Sequence, residues 1–239
     1  ALDYKKNNDL KRSKIEAEKI FELDKTNLWA NEFLLSLAEE TEDWDYAEKK
    51  AKDLKKIKGY KGDVNLSKYT LQKGVIHLEK NNLIDAERLF REVVTESPDF
   101  AMSYKYLGDI KSSDRDLVKA VEYWEKYMEL SPSESHLVFD NIETALFDLG
   151  RYSEVEKFYK KVLENNPKDL NAGLRLANVL NEKGENKAAI NLIDSFIEEE
   201  NPSILVMLMK LKLSLSSKTP AELGHFIDEI LKVIKSSNE

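Results

Sequence analysis

The side chains that could do chemistry are few and scattered. His77, His136 and His225 are spread along 239 residues, and none stands at metal-ligand spacing from another. The absence of cysteine removes thiolate metal sites, disulfides and a cysteine nucleophile together. No glycine-rich phosphate loop and no nucleophile elbow occurs. The paired acids Glu39 and Glu40 stand at a helix end, where no pocket is implied. Asn65-Leu66-Ser67 matches a glycosylation acceptor, a pattern short enough to arise by chance. The chain is therefore expected to hold no catalytic residue, no metal and no cofactor, and not to be an enzyme.

Charge narrows the partners. A net charge of -8 argues against nucleic acid, because neutralising phosphates takes a basic face. The one basic concentration is the seven lysines within 49–61. It reads as the outer face of a helix that comes after the acidic turn Glu39, Glu40, Glu42 and Asp43, whose negative charge complements the helix dipole. The alternative is docking to an acidic partner or to anionic lipid headgroups. No stretch nears the roughly eighteen apolar residues that span a bilayer. The first residues, Ala-Leu-Asp-Tyr-Lys-Lys-Asn-Asn, have neither an initiating Met nor a signal-peptide core. The chain reads as a piece of a longer one, and membrane association would come only through a segment outside it.

Side chains in such a chain are positioned by a repeat. Gly74, Ala86, Phe90 and Pro98 fall at steps of 12, 4 and 8, and Gly108, Ala120, Trp124 and Pro132 repeat them 34 residues on. A fixed period of this length marks stacked helix pairs, each burying its apolar face on its neighbours. The two clean units are 67–100 and 101–135, with Tyr127 adding to the core of the second. Before them, 28–66 pairs a helix through Leu34, Leu35, Leu37 and Ala38 with one through Trp44, Ala47, Ala51 and Leu54, then breaks at Gly59 and Gly62. The unit 136–169 opens its first helix at His136 and closes at Tyr159, Val162 and Pro167. The unit 170–203 runs through Leu176, Ala177, Leu180, Gly184, Ala189, Ile193 and Phe196 to Pro202. In 204–239 an almost wholly apolar helix precedes one that starts at Pro220 and buries Phe226, Ile230, Leu231 and Ile234. At the other end, 1–27 is a partial repeat with an apolar stripe of Leu10, Ala17, Ile20 and Leu23.

These Gly, Ala, aromatic and Pro positions resemble the tetratricopeptide repeat (TPR) motif, and the resemblance covers nearly the whole chain. It implies an all-α fold: one TPR array over 1–239, a right-handed superhelical solenoid of about six antiparallel helix pairs plus a partial N-terminal repeat. It also implies a non-catalytic protein–protein interaction scaffold, whose first helices line a concave groove for a peptide or protein segment. A narrower resemblance rests on Glu42-Asp43-Trp44-Asp45-Tyr46-Ala47-Glu48, the extra residues around Gly62 and the degenerate last pair. It is to the TPR region of the bacterial lipopolysaccharide-assembly protein family. That implies an envelope-biogenesis adaptor linking a lipid-synthesis enzyme to a membrane protease, whose anchor and Cys-x-x-Cys zinc module these residues lack. A third implication is a helper domain for an enzyme whose catalytic part lies outside this chain.

On the repeat frame the exposed groove positions are Lys105, Tyr106, Asp109 and Ser112, then Asp140, Asn141, Thr144 and Phe147, then Asn171, Arg175, Asn178 and Asn181. Some TPR domains clamp a C-terminal carboxylate with Lys and Asn from one repeat, Asn from the next, and Lys and Arg from a third, and Lys105, Asn141 and Arg175 match that set in type and place. Asp109 and Asn171 depart from it, and Asp109 would repel a carboxylate unless Lys105 were shared between them. The expected peptide site is thus a polar groove using Lys105, Tyr106, Asp109, Asn141, Phe147, Arg175 and Asn178.

Overall fold

A computed structural model of the chain describes residues 1–57, 60–62, 65–197, 203–215 and 218–236. The expected break at Gly59, the closing Pro202 and the polar stop at 237–239 lie outside the described residues. Among those described, the α-helices are α1 Leu2–Lys6, α2 Leu10–Leu23, α3 Leu28–Glu40, α4 Trp44–Lys56, α5 Ser67–Glu79, α6 Leu83–Glu96, α7 Ala101–Ser113 and α8 Leu117–Leu130. After a 3-10 turn at Pro132–Val138 come α9 Phe139–Asp148, α10 Tyr152–Asn165, α11 Leu170–Glu182, α12 Asn186–Asp194, α13 Ile204–Ser214 and α14 Pro220–Ser236. Two compact units divide them, Ala1–Pro132 with α1 to α8 and Ser133–Glu239 with α9 to α14. Within each unit, consecutive helices pack on one another. Among the described residues no helix is long and apolar enough to cross a membrane.

Second helices approach their partners through small side chains. Ser13, Ala47, Ala86, Ala120 and Ala189 are wholly buried, and Val155 nearly so, at steps of 34, 39, 34, 35 and 34 residues. The long step absorbs the insertion around Gly62. One turn later Ala17, Ala51, Phe90, Trp124, Tyr159 and Ile193 fill the core. Opposite the large rings the first helix gives up its side chain. A Cβ at Gly74 would stand 2.5 Å from Phe90 Cε1, and one at Gly108 would stand 2.5 Å from Trp124 Cδ1.

The turns inside the first six pairs share one geometry. Asn8, Glu42, Asn81, Arg115, Gly150 and Gly184 have φ of 58, 55, 57, 63, 70 and 82°, at the same steps as the small residues. The amide after each donates back across the turn: Asp43 to Ala38 O at 2.9 Å, Asn82 to His77 O at 2.8 Å, Arg151 to Leu146 O at 2.8 Å. This is the Schellman end of a helix, which satisfies carbonyls the helix itself leaves open. In α2, α4, α6 and α8 that next residue is Asp9, Asp43, Asn82 or Asp116, whose side chain also caps the new helix. In α10 and α12 it is Arg151 or Glu185, with no such side-chain bond, and there glycine takes the left-handed position at no steric cost.

The sequence frame fails at four places. Ala17 is buried as expected, but Ile20 and Leu23 are 37% and 89% exposed, because α2 turns Ser13 inward beside Ala17 instead. Leu231 is exposed, and Ile230 carries the buried face of α14. His136 does not open a helix. The chain tightens into 3-10 geometry from Pro132, burying Ser135 and Val138, and α9 starts at Phe139, whose ring meets Phe158 and Tyr159 edge-on. The lysine run is not a uniform outer face either. Lys50 is 1% exposed, with Nζ 3.1 Å from the Phe21 ring centroid and 3.5 Å from Asp53. Burial pushes its pKa below that of an ordinary lysine despite Asp53.

Junctions between successive pairs share an ion pair. The residue after the buried small one is Glu48, Glu87 or Glu156. It reaches Lys73 at 2.6 Å and Lys111 at 2.8 Å on the next first helix, and Lys183 at 2.5 Å at the C-terminal cap of one. Burial alone would raise the Glu87 carboxyl, but Lys111 and Arg91 hold it below the usual range.

Turn and junction can each be tested by one substitution. A left-handed conformation costs a residue with a Cβ about 1–2 kcal/mol, so Glu42→Gly is expected to stabilise the chain by about 0.5–1 kcal/mol in denaturant unfolding. A loss would mean the turn is held otherwise. Because the folded pKa of Glu87 is depressed, its contribution is present above the unfolded value near pH ~4.3 and fades as pH falls through the folded one. Glu87→Gln should therefore cost about 0.5–1 kcal/mol at neutral pH, and the two melting curves should converge in acid. A gap independent of pH would refute the ion-pair origin.

Candidate functional site

Each expected groove residue sits on a first helix, and most are already engaged. In the first unit, α7 places Lys105 Nζ 2.9 Å from Asp109 Oδ2. The other Asp109 oxygen accepts the Trp124 indole N–H at 2.9 Å. One carboxylate thus satisfies a buried ring and anchors a surface cation. Tyr106 stacks on Phe90 at 4.9 Å, with Lys105 Nζ 5.6 Å from its ring centroid.

The second unit repeats this logic. Arg175 on α11 reaches Asp140 at 2.6 Å and Glu143 at 3.1 Å on α9. The hydroxyl of wholly buried Tyr159 donates to the same Glu143 oxygen at 2.5 Å. Burial, then this bond to a carboxylate, holds the phenol well above its ordinary pKa. Arg175 is raised too: burial opposes its charge, but the bonds led by Asp140 outweigh it. Asn178 Oδ1 accepts from Lys212 on α13 at 2.7 Å. Asn141 is half-buried on α9, and Phe147, 37% exposed, lies against Tyr152. Lys105, Tyr106 and Asp109 thus come together in one unit, and Asn141, Phe147, Arg175 and Asn178 occupy first helices of the other.

Other features of the first-helix faces escaped sequence reasoning. Trp29, 40% exposed, stacks on Phe33 with centroids 5.0 Å apart. Lys5 on α1 reaches Glu40 at 2.8 Å, and Glu39 takes Lys68 at 3.1 Å and the Tyr69 hydroxyl at 2.7 Å. The signal was present: Phe33 holds the repeat position of Tyr106, Asn141 and Arg175, and it lies outside the Leu34, Leu37 and Ala38 core stripe. On α13, Leu205 and Leu208 are exposed, as is Leu215 at its C-terminal cap, which a nearly all-apolar helix already hinted at. The glycosylation pattern has a different use. Ser67 is buried, with its hydroxyl 2.8 Å from that of Ser97. Among the described residues no group of three His, Cys, Asp or Glu could hold a metal ion.

The tetratricopeptide repeat family model matches residues 146–210. The chain has the all-α fold of stacked tetratricopeptide-type helix pairs, and the family match lies within its second unit. It resembles the C-terminal part of a TPR repeat-containing protein from Cytophaga hutchinsonii over 96% of this chain and 92% of that one, with a TM-score of 0.57 and 17% identity. Its likeness to MamA covers 72% and 93%, with a TM-score of 0.51 and 16% identity. At these identities the likeness is one of fold. The human protein O-mannosyl-transferase TMTC3 is 29% identical over 140 residues, 57% of this chain but 15% of that protein, so the chain spans a small part of this relative.

The Glu143 network yields a direct check. Tyr159→Phe removes a hydrogen bond to a buried-side carboxylate, and should cost about 1.5–3 kcal/mol of stability. Chemical denaturation reads this, and a change under about 0.5 kcal/mol would show that Arg175 alone satisfies Glu143.

Proposed function

We propose that the chain is a non-catalytic scaffold that docks a peptide or protein segment along the faces of its first helices. The observation that carries this reading is that polar groups on those faces are held by neighbours: Lys105 by Asp109, and Arg175 by Asp140 and Glu143. Side chains fixed before binding lose less rotamer entropy when a partner arrives. In the first unit a docked segment would meet Lys105, Tyr106 and Asp109; in the second unit a docked segment would meet Asn141, Phe147, Arg175 and Asn178. Because Asp109 neutralises Lys105, the reading favours hydrogen bonding to an extended backbone over a clamp on a free carboxylate.

The match to TMTC3 supports a second reading, a helper array attached to a catalytic module outside these residues. The complete reading frame separates the cases. A fused catalytic domain favours the helper, a membrane anchor with paired Cys-x-x-Cys motifs favours an envelope adaptor, and neither leaves the general scaffold.

Peptides selected on this chain from a displayed random library provide the functional test. Titration calorimetry on the Lys105→Ala, Arg175→Ala double variant should show at least about tenfold weaker binding, a loss of about 1.4 kcal/mol. Unchanged affinity with helicity intact would remove both residues from the site.

A further inference from the structure

We propose that the α3 face bearing Trp29, Glu32, Phe33, Ser36 and Glu40 is a receptor for a cationic side chain, and that its partner is a basic protein segment. The inference rests on the scaffold reading and adds the chemistry of the partner. Those five residues stand at i, i+3, i+4, i+7 and i+11, so they share one stripe of the helix. Trp29 and Phe33 stack at 15° between ring planes, and Trp29 keeps two-fifths of its surface in water. An aromatic face attracts cations through its quadrupole, and indole does so best. Glu32, exposed on the same stripe, adds a carboxylate within a turn of both rings.

The molecule already seats a cation by this chemistry. Lys5 Nζ lies 5.6 Å from the Phe33 centroid, 2.8 Å from Glu40 and 3.2 Å from Ser36 Oγ. On the other flank Lys68 takes Glu39. The C-terminal half of the stripe is thus satisfied by the protein's own ammonium groups. One turn back, Trp29 and Glu32 offer an aromatic face and a carboxylate to solvent. Glu32 repels a carboxylate ligand, and a purely aliphatic ligand would leave it to be desolvated unpaired. A guanidinium or ammonium fits both groups, and guanidinium stacks better on a planar ring.

The experiment uses the chain with a capped Gly-Arg-Gly-Arg-Gly peptide, and with the same peptide carrying neutral citrulline at both arginines. The arginine peptide should bind at least about tenfold more tightly than citrulline, and Trp29→Leu and Glu32→Gln should each weaken it about three- to tenfold. Glu22→Gln, the same charge change on exposed α2, should leave it unchanged, with circular dichroism confirming the fold throughout. No binding, equal binding of both peptides, insensitivity to Trp29→Leu, or an equal loss in Glu22→Gln would overturn the proposal. Library-selected peptides that bind the chain without any Arg or Lys and ignore Trp29→Leu would sink this inference while leaving the scaffold reading intact. A library that yields no binder would defeat both.

Discussion

In the first six helix pairs, one left-handed residue between the two helices dictates how those helices meet. With that residue near φ +60°, the next amide closes the first helix and the next side chain opens the second. The connection is then too short to adjust. It fixes which residue of the second helix meets the first, and only a small side chain fits there. That contact in turn brings Phe90 or Trp124 over a glycine of the first helix. The outward face of the first helix is whatever remains. Four of the six turns accept the strain of a Cβ at this position and combine it with an Asp or Asn cap. The other two use glycine without one. Either solution gives the same backbone.

Core and surface are coupled through single carboxylates. Asp109 joins the buried Trp124 indole to surface Lys105, and Glu143 joins the buried Tyr159 phenol to Arg175. Lys105 is therefore aimed from inside its own helix pair, and Arg175 from inside the preceding one. Junction pairs such as Glu87 with Lys111 link each pair to the next. Since contacts run between consecutive helices, stability in each unit approximates a sum of local terms and nearest-neighbour interfaces. A weak pair can loosen without unfolding its neighbours.

Sequence made the frame legible because a period of 34 needs only a few obligatory residues to show. Gly74, Ala86, Phe90 and their counterparts are dictated by close packing, and packing tolerates few alternatives. The helix limits around 132–139 were not legible, because Pro132 admits either a turn or an early helix start. Nor was the inward rotation of α2, where apolar Ile20 and Leu23 lie outside and Ser13 lies inside, its hydroxyl donating to the Ala1 carbonyl. Groove positions could be placed by register, but their pairing could not. Whether Lys105 meets Asp109 depends on rotamers that no spacing rule contains. The Trp29–Phe33 stack was hidden by its place beside a conventional core stripe.

Lys50 gives the first unit a built-in chemical reporter. Its amine lies under the Phe21 ring, and an acylating reagent or an acetyltransferase can reach it only when α2 lifts from α4. The acylation rate of this one side chain therefore measures how often the N-terminal repeat opens. Once acetylated, Lys50 would lose its charge and gain bulk, so the closed packing could not re-form unchanged. A modification made during a brief opening would become a lasting record of it.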